Sequence, residues 1–294
     1  MRDDVRDAHP RRAGRLLVGL VLVLAASLIL APSALANFIT PKSGGSPNAD
    51  QIASLYKIIL YVAAVVFVIV EGALIYSIYR FRAKKSAVAA QIHGNTRLEI
   101  GWTVAAALIL VVLTVVTFVK LPGIINPPNS NANGYLAASL SAPEPPNGKE
   151  FTVCVTGRQY IWRYTYGAQC VNNAFNSRLP YSYQEMTVPV GTTVKLVIQS
   201  TDVVHSWWVP SLGGKVDAVP GYTTYTWFKI PHTGLWHGQC AQLCGRNHAA
   251  MTALVHAIPA DEYAAWLSNQ SALISAANAQ VTQLRRILIL NGNL

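Results

Sequence analysis

Two apolar stretches, residues 55–79 and 100–121, limit what this chain can fold into. Each is long enough to cross a hydrocarbon layer of about 30 Å as a helix. The segment between them, residues 80–97, is basic and contains no acidic residue, so the positive-inside rule places it in the cytoplasm. Only 12% of the 294 residues are charged and 52% are hydrophobic, which is apolar for a soluble protein. The sequence therefore predicts a membrane hairpin with both mature termini outside.

The first 36 residues have the layout of a secretory signal peptide. Several arginines precede an apolar run, residues 16–30, and small residues follow in Ala34-Leu35-Ala36. This order predicts cleavage after Ala36 and leaves residues 37–121 as the hairpin. The alternative is an uncleaved first span, which the shortness of the apolar run disfavours.

The remainder of the chain predicts an exported β domain. Residues 122–148 are rich in Pro, Asn, Ser and Gly and are typical of a linker. Residues 149–267 contain short β-type runs separated by turn residues, a pattern that indicates a β-sandwich or barrel. These runs are residues 151–155, 160–166, 185–189, 192–199, 223–230 and 253–258. A short amphipathic tail, residues 268–294, has one apolar helical face formed by Leu273, Val281, Leu284 and Ile287.

A short segment of this domain has the spacing C-x3-C-x3-H-x2-M. It contains Cys240, Cys244, His248 and Met251. Thiolate and thioether ligands favour copper, and a mononuclear blue-copper site needs only one cysteine. The second cysteine therefore predicts a dinuclear centre with bridging thiolates, and His205 is the candidate for the missing imidazole. The alternatives are a disulfide and a structural zinc site, although methionine is not among the usual zinc ligands.

These residues resemble the dinuclear copper (CuA) site of cytochrome c oxidase subunit II. The resemblance extends to residues 204–221 and, far upstream, to Glu99 and the following residues 100–103. It implies a membrane-anchored all-β protein in which a two-helix transmembrane hairpin precedes a cupredoxin-like Greek-key sandwich or barrel. It also implies the ligand roles: Cys240 and Cys244 bridge two copper ions, His205 and Met251 complete one, and His248 with the backbone carbonyl of Gln242 completes the other.

The resemblance implies a function in respiration. Such a subunit belongs to an aa3-type cytochrome c oxidase in a bacterial cell membrane, with its copper domain on the outer face. It accepts electrons from cytochrome c and passes them to haem in subunit I, which reduces O2 to water with proton pumping, and it also assembles with subunit III. Two alternatives are a quinol oxidase subunit II, which lacks copper ligands, and a membrane-anchored copper storage or delivery protein.

Three further positions are candidate functional residues by the same resemblance. Glu99 matches the acid at the mouth of a proton pathway, although an acid is also favourable at any helix start. Tyr160 stands where the family often has the tryptophan that receives electrons, and Trp162 belongs to the same aromatic stretch. Gln242 replaces a common glutamate, which puts a second, magnesium or manganese site at the subunit interface in doubt because a neutral amide is a weaker ligand for hard cations.

The exported region also suggests how the electron donor is held. Residues 122–294 contain more Lys and Arg than Asp and Glu. This region therefore has few acidic residues that could form a patch to attract a basic soluble cytochrome c. We therefore expect a membrane-tethered cytochrome, or one held in a supercomplex. Two other cysteines, Cys154 and Cys170, lie in this oxidising compartment, and the sequence leaves open whether they form a disulfide.

Overall fold

Two long helices begin the part of the chain that the structure describes. The structure is a computed structural model and describes residues 40–82, 91, 93–129, 151–167, 170 and 179–291. The predicted signal peptide, residues 1–36, lies outside these residues, as does most of the predicted linker. Helices α1 (Pro47–Arg80) and α2 (Thr96–Ile125) are long and apolar enough to cross a membrane. Both extend beyond the predicted spans of residues 55–79 and 100–121.

The extra turns at the helix ends have local causes. Proline in the first turn of α1 fits there because this position has no intrahelical hydrogen bond to lose. At the start of α2, the side chain of Asn95 accepts a hydrogen bond from the backbone N–H of Leu98 at 3.2 Å.

The two helices also contact each other, since Lys120 Nζ donates to Gln51 Oε1 at 3.3 Å.

The described part of residues 151–258 forms two five-stranded sheets, which confirms the predicted cupredoxin-like sandwich behind a two-helix hairpin. One sheet has the order β3-β2-β1-β5-β8 and the other has the order β4-β10-β9-β6-β7. The strands are β1 (Phe151–Arg158), β2 (Ile161–Tyr166), β3 (Tyr181–Tyr183), β4 (Glu185–Pro189), β5 (Thr193–Ser200), β6 (His205–Trp208), β7 (Val216–Ala218), β8 (Thr224–Lys229), β9 (Gly234–Cys240) and β10 (Thr252–Ile258).

Six of these strands correspond to the predicted β runs, and β3, β6, β7 and β9 were not predicted. Strands β3 and β7 have three residues each, too few to show an alternating pattern. Strand β9 contains two glycines, which weaken the sequence signal for a strand. It is nevertheless paired on both sides, antiparallel to β10 and to β6. The partners of β9, rather than its own composition, therefore stabilise it.

The core lies between the two sheets. Its fully buried side chains include Trp162 and Tyr164 from one sheet and Met186, Trp207 and Val255 from the other. Trp207 and Phe228 stack across the core with ring centroids 6.3 Å apart. The segments that carry the metal-ligand candidates are thus attached to a closely packed scaffold. This scaffold limits the movement of these segments.

The C-terminal segment is a continuous helix rather than a short tail. Helix α3 (Ala260–Leu290) begins before the predicted boundary at residue 267 and passes through it. Asp261 and Glu262 lie in its first turn, where negative charge is favourable. Its first part packs on the sandwich, where Tyr263 is fully buried and contacts Phe151 at a centroid distance of 5.4 Å.

The hairpin is attached to the sandwich at strand β8. Asn48 Nδ2 donates to the carbonyl of Trp227 at 2.7 Å, and Trp227 Nε1 donates to the carbonyl of Ile125 at 3.1 Å. The backbone N–H of Lys229 donates to Ser46 Oγ at 3.1 Å. Both helices therefore hydrogen-bond to the same end of one strand.

The two cysteines outside the metal-ligand segment form a disulfide. Cys154 and Cys170 are bridged, with their Cα atoms 5.3 Å apart. The hairpin of β1 and β2 brings the chain back, because Cys154 pairs with Thr165 near the end of β2. Because the chain turns back, the two cysteines lie close together. A single extended strand between them would have kept them too far apart for a disulfide.

Candidate metal centre

Three adjacent strands place three of the predicted ligands at one end of a sheet. His205 is the first residue of β6, Cys240 is the last residue of β9, and Met251 directly precedes β10. Pairing of Trp207 with Cys240 joins β6 to β9, and the backbone N–H of Cys240 donates to the carbonyl of Met251 at 2.9 Å. Cys240 is thus a strand residue, whereas Cys244 and His248 follow the strand.

The remaining ligand candidates lie in the segment between β9 and β10. Cys244 lies four residues after Cys240 in the sequence, and the Sγ atoms of the two cysteines are 3.9 Å apart. His248 begins a short 3-10 helix (His248–Ala250), and its Nδ1 lies 3.6 Å from Cys244 Sγ. The carbonyl oxygen of Gln242 lies 3.3 Å from Cys240 Sγ. The segment therefore curls so that its donor atoms face the end of β9.

His205 completes the cluster from the neighbouring strand. Its Nδ1 lies 3.8 Å from Cys240 Sγ. The donor atoms of His205, Cys240 and Cys244 all lie within 4.8 Å of one another. Donors sharing one tetrahedral ion, with metal–sulfur and metal–nitrogen bonds of about 2.3 and 2.0 Å, are about 3.5 to 3.8 Å apart. The spacing therefore fits metal coordination.

The chemistry of the donor set fits copper better than zinc. Two thiolates, two imidazoles and a thioether are soft or borderline ligands of the kind that copper prefers. Met251 and the side chain of His205 are fully buried, and Cys240 is nearly so. A thioether at a dry, buried position is expected in a copper site and is not usual for structural zinc.

A carboxylate orients His205. Nε2 of His205 donates to Asp202 Oδ1 at 2.9 Å, which leaves Nδ1 as the ring nitrogen that faces Cys240. The other carboxylate oxygen, Oδ2, accepts from the backbone N–H of Gln159 at 2.7 Å. Asp202 therefore fixes both the tautomer and the rotation of the imidazole, as carboxylates commonly do for metal-binding histidines.

The two candidate bridging cysteines differ in acidity in the protein itself. Burial opposes ionisation of Cys240, but contacts with His205 and with the backbone at Ser206 and Gln242 lower its pKa to about 6. Burial raises the pKa of Cys244 to about 11, and the nearby charge of Cys240 contributes to the same shift. The proton of Cys244 is therefore held more tightly than that of Cys240. Metal ions that bind both must displace the proton of Cys244.

The other predicted functional residues lie at different distances from this cluster. Trp162 is fully buried, and its ring contacts that of His205 with centroids 5.8 Å apart. Tyr160 is partly exposed, and its hydroxyl accepts a hydrogen bond from the backbone N–H of Arg246 at 3.1 Å. Of these two side chains, only Tyr160 reaches the surface, where an electron donor could contact it.

Glu99 lies far from the cluster. It is in the first turn of α2, whereas the last residue of that helix, Ile125, contacts the sandwich, about 40 Å away along the helix axis. Glu99 Oε1 accepts a hydrogen bond from the backbone N–H of Asn95 at 3.3 Å. The side chain therefore stabilises the helix start, whatever other role it has.

Sequence reasoning missed the residues that hold the cysteine segment from outside. Gln159 Nε2 donates to the carbonyl oxygen of Cys244 at 2.6 Å. Gly245, which follows Cys244, has a φ of 138°, and a Cβ atom there would lie 2.6 Å from Tyr160 Oη. No motif marks Gln159, but a glycine directly after a ligand cysteine is a visible sign of close approach.

The fold and the cluster together define a membrane-anchored cupredoxin-like protein with a candidate copper site. Family models match the transmembrane domain of cytochrome c oxidase subunit II over residues 34–119 and its periplasmic domain over residues 151–258. The chain therefore belongs to the cytochrome c oxidase subunit II family.

Two relatives agree with this assignment. The chain is 34% identical over 229 residues to cytochrome c oxidase subunit 2 of Alkalihalophilus pseudofirmus, covering 77% of this chain but only 60% of that relative. It is 32% identical over 263 residues to the Cereibacter sphaeroides protein of the same name, covering 77% and 80%. The crystal structure of the periplasmic domain of cytochrome oxidase subunit II from Bradyrhizobium japonicum is 29% identical, covers 42% of this chain and 95% of that one, and has a TM-score of 0.38.

We predict that Asp202→Ala weakens copper binding by roughly 10- to 100-fold, the usual effect of removing a carboxylate behind a metal-binding histidine. The loss follows because His205 would be free to rotate away from Cys240. Asp217→Ala is the matched control, since Asp217 pairs with the exposed Lys215. Copper competition against a chelator, with the full chain in detergent, measures the effect. Equal affinities of the two variants would contradict the role of Asp202.

Proposed function

We propose that the cluster holds a dinuclear copper A centre through which this subunit transfers electrons. The observation that carries the proposal is the convergence of His205, Cys240 and Cys244 within 4.8 Å, with His248 beside Cys244. In this proposal both cysteines bridge the two ions. His205 and Met251 complete one ion, and His248 with the Gln242 carbonyl completes the other.

When bound, the copper pair would supply a one-electron carrier that is reduced by a cytochrome c and oxidised by haem in another subunit. The chain's own residues keep the change in geometry small. His205 and Cys240 belong to paired strands, and Asp202 restrains the imidazole. Burial of Met251 and Cys240 excludes water from their side of the site. Ligands held in this way need little rearrangement when the charge changes.

Two other functions are less well supported. A quinol oxidase subunit would not need copper ligands, yet all six candidate positions are occupied by suitable residues. A copper delivery protein must release its ion, and a site whose ligands include the fully buried His205 and Met251 is poorly suited to release. Such a protein also has no need for the second membrane span that begins near Glu99.

We predict that Cys244→Ser abolishes the dinuclear centre, because a serine hydroxyl is too hard and too weakly acidic to bridge copper. Met251→Leu should retain both ions and shift the reduction potential, since a weak axial thioether tunes a site more than it holds it. Electron paramagnetic resonance of the copper-loaded full chain distinguishes the cases. An electron shared by two copper nuclei gives a seven-line hyperfine pattern, and a mononuclear centre gives four lines. A seven-line spectrum from Cys244→Ser would contradict the proposed site.

We also propose the assembly in which the centre works. The subunit would associate with subunit I, which carries the haems and reduces O2, and with subunit III, in an aa3-type oxidase of a bacterial cell membrane. The sandwich would lie on the outer face, as the basic residues between the two spans suggest. A magnesium or manganese site at the interface with subunit I is not part of this proposal, because Gln242 offers an amide in place of a carboxylate.

Two substitutions at Glu99 separate proton uptake from helix capping. We predict that both Glu99→Ala and Glu99→Gln slow turnover of the assembled oxidase while copper reduction by the donor stays normal. Glutamine can still accept the hydrogen bond from Asn95 that glutamate accepts, but it cannot carry a proton. Stopped-flow reduction of copper and steady-state oxygen consumption provide the two rates. Normal turnover of Glu99→Gln would assign Glu99 to capping alone.

The donor prediction concerns ionic strength. Because the exported region is mildly basic, we expect slow turnover with a soluble basic cytochrome c and little stimulation at low salt. A cytochrome tethered to the membrane or to the preceding respiratory complex would replace electrostatic capture with a high local concentration. Oxygen consumption over a range of salt concentrations tests this. Fast oxidation of the soluble cytochrome c that falls steeply with added salt would reveal an acidic docking surface. It would contradict the prediction of a tethered cytochrome.

A further inference from the structure

The turn between β1 and β2 lies between the two segments that supply the metal ligands. Gln159 and Tyr160 form this turn, which follows Arg158 and precedes Ile161. One ligand segment starts with Asp202 and leads to His205, and the other contains Cys244. These segments belong to different parts of the chain, and the turn is hydrogen-bonded to both of them.

The turn is hydrogen-bonded to the histidine segment through the backbone. The N–H of Gln159 donates to Asp202 Oδ2 at 2.7 Å, and Asp202 Oδ1 accepts from His205 Nε2 at 2.9 Å. Nearby, the N–H of Thr201 donates to the carbonyl of Gly157 at 3.2 Å. A Cβ atom on Gly157 would come within 3.0 Å of the His205 ring, so the end of β1 also forms a wall against the imidazole.

The same turn is hydrogen-bonded to the cysteine segment through side chains. Gln159 Nε2 donates to the Cys244 carbonyl at 2.6 Å, and Tyr160 Oη accepts from the Arg246 N–H at 3.1 Å. Gly245 lies between these two bonds. Its missing Cβ atom would approach both Tyr160 Oη, at 2.6 Å, and Gln159 Nε2, at 2.9 Å.

We propose that this turn is a clamp that fixes the two ligand segments relative to each other, and that Gln159 is its positioning residue. Of the two turn residues, Gln159 reaches both sides, with its backbone N–H on Asp202 and its side chain on Cys244. Tyr160 adds a second bond to the cysteine segment. The role of the clamp in copper binding rests on the proposed function. The hydrogen bonds that form the clamp are present in the metal-free protein.

An amide is the group that this position requires. The Cys244 carbonyl is an acceptor, and a glutamine side chain can donate to it while a glutamate of nearly the same shape cannot. A bridge of this kind keeps the ligands near their final geometry without metal. The ions then bind to a prepared site, and the ligands move little when an electron arrives.

The test uses the full chain in detergent with Gln159→Ala, Gln159→Glu and Tyr160→Phe. Gln283→Ala on the exposed part of α3 is the matched control. The first readout is the rate at which iodoacetamide alkylates each free cysteine in the metal-free protein. Cys154 and Cys170 do not interfere, because their disulfide protects them.

Loss of the bond to the Cys244 carbonyl should let that segment open more often. We expect Cys244 to react roughly three- to tenfold faster in both Gln159 variants, the range that one hydrogen bond accounts for. Cys240 is held in β9 and should change little. Tyr160→Phe should act in the same direction and more weakly, because it removes one acceptor and keeps the ring. The control should match the unsubstituted chain.

The second readout is the copper-loaded protein. Both Gln159 variants should release copper to a chelator roughly three- to tenfold faster and show an altered hyperfine pattern. Unchanged Cys244 reactivity in Gln159→Glu would overturn the clamp. Equal acceleration at Cys240 and Cys244 together with a lower Tm would also overturn it, by pointing to general destabilisation.

Failure of the clamp and failure of the proposed function give different results. If Cys244 becomes more reactive in the Gln159 variants but the unsubstituted chain shows no seven-line spectrum, the clamp stands and the copper A proposal falls. If the seven-line spectrum is present and identical in all variants, with unchanged alkylation, the copper proposal stands and the clamp falls.

Discussion

Hydrogen bonding between three adjacent strands determines where the donor atoms of this protein lie. Strands β6, β9 and β10 are neighbours in one sheet, and His205, Cys240 and Met251 stand at the same end of them. A shift of one residue in the β6–β9 register would turn Cys240 to the other face of the sheet. Because one face of β9 is exposed and the other is partly or fully buried, the register and the ligand geometry are fixed together.

The packed core extends this constraint to the residues around the ligands. Trp162 contacts the His205 ring, and Met251 and Cys240 belong to the same buried cluster as the central strands. Moving a ligand would therefore disturb side chains that are closely packed on all sides. Cys244 belongs to the same cluster, but its neighbours Leu243 and Gly245 are exposed, and this segment also receives hydrogen bonds from the β1–β2 turn. Packing and polar contacts therefore act together on the segment that contains Cys244.

Hydrogen bonds also attach the sandwich to the membrane helices. Asn48 and Ile125, near the outer ends of α1 and α2, both bond to Trp227 on β8. Strand β8 pairs with β5, which in turn pairs with β1, the strand that leads to the Gln159 turn. A continuous sheet therefore connects the membrane hairpin to the turn beside the candidate metal ligands, so that these ligands have a defined position relative to α1 and α2.

The sequence alone determined the parts of this protein that depend on local pattern and ligand chemistry. Long apolar runs predicted the two helices, and the spacing of Cys240, Cys244, His248 and Met251 indicated a metal-binding segment. Tertiary structure decided what depends on distant partners. Strand β9 exists because its neighbours pair with it, the Cys154–Cys170 disulfide exists because β1 and β2 fold back, and Gln159 reaches Cys244 across 85 positions of sequence. No local pattern records such contacts, because they arise only when separate segments pack into one core.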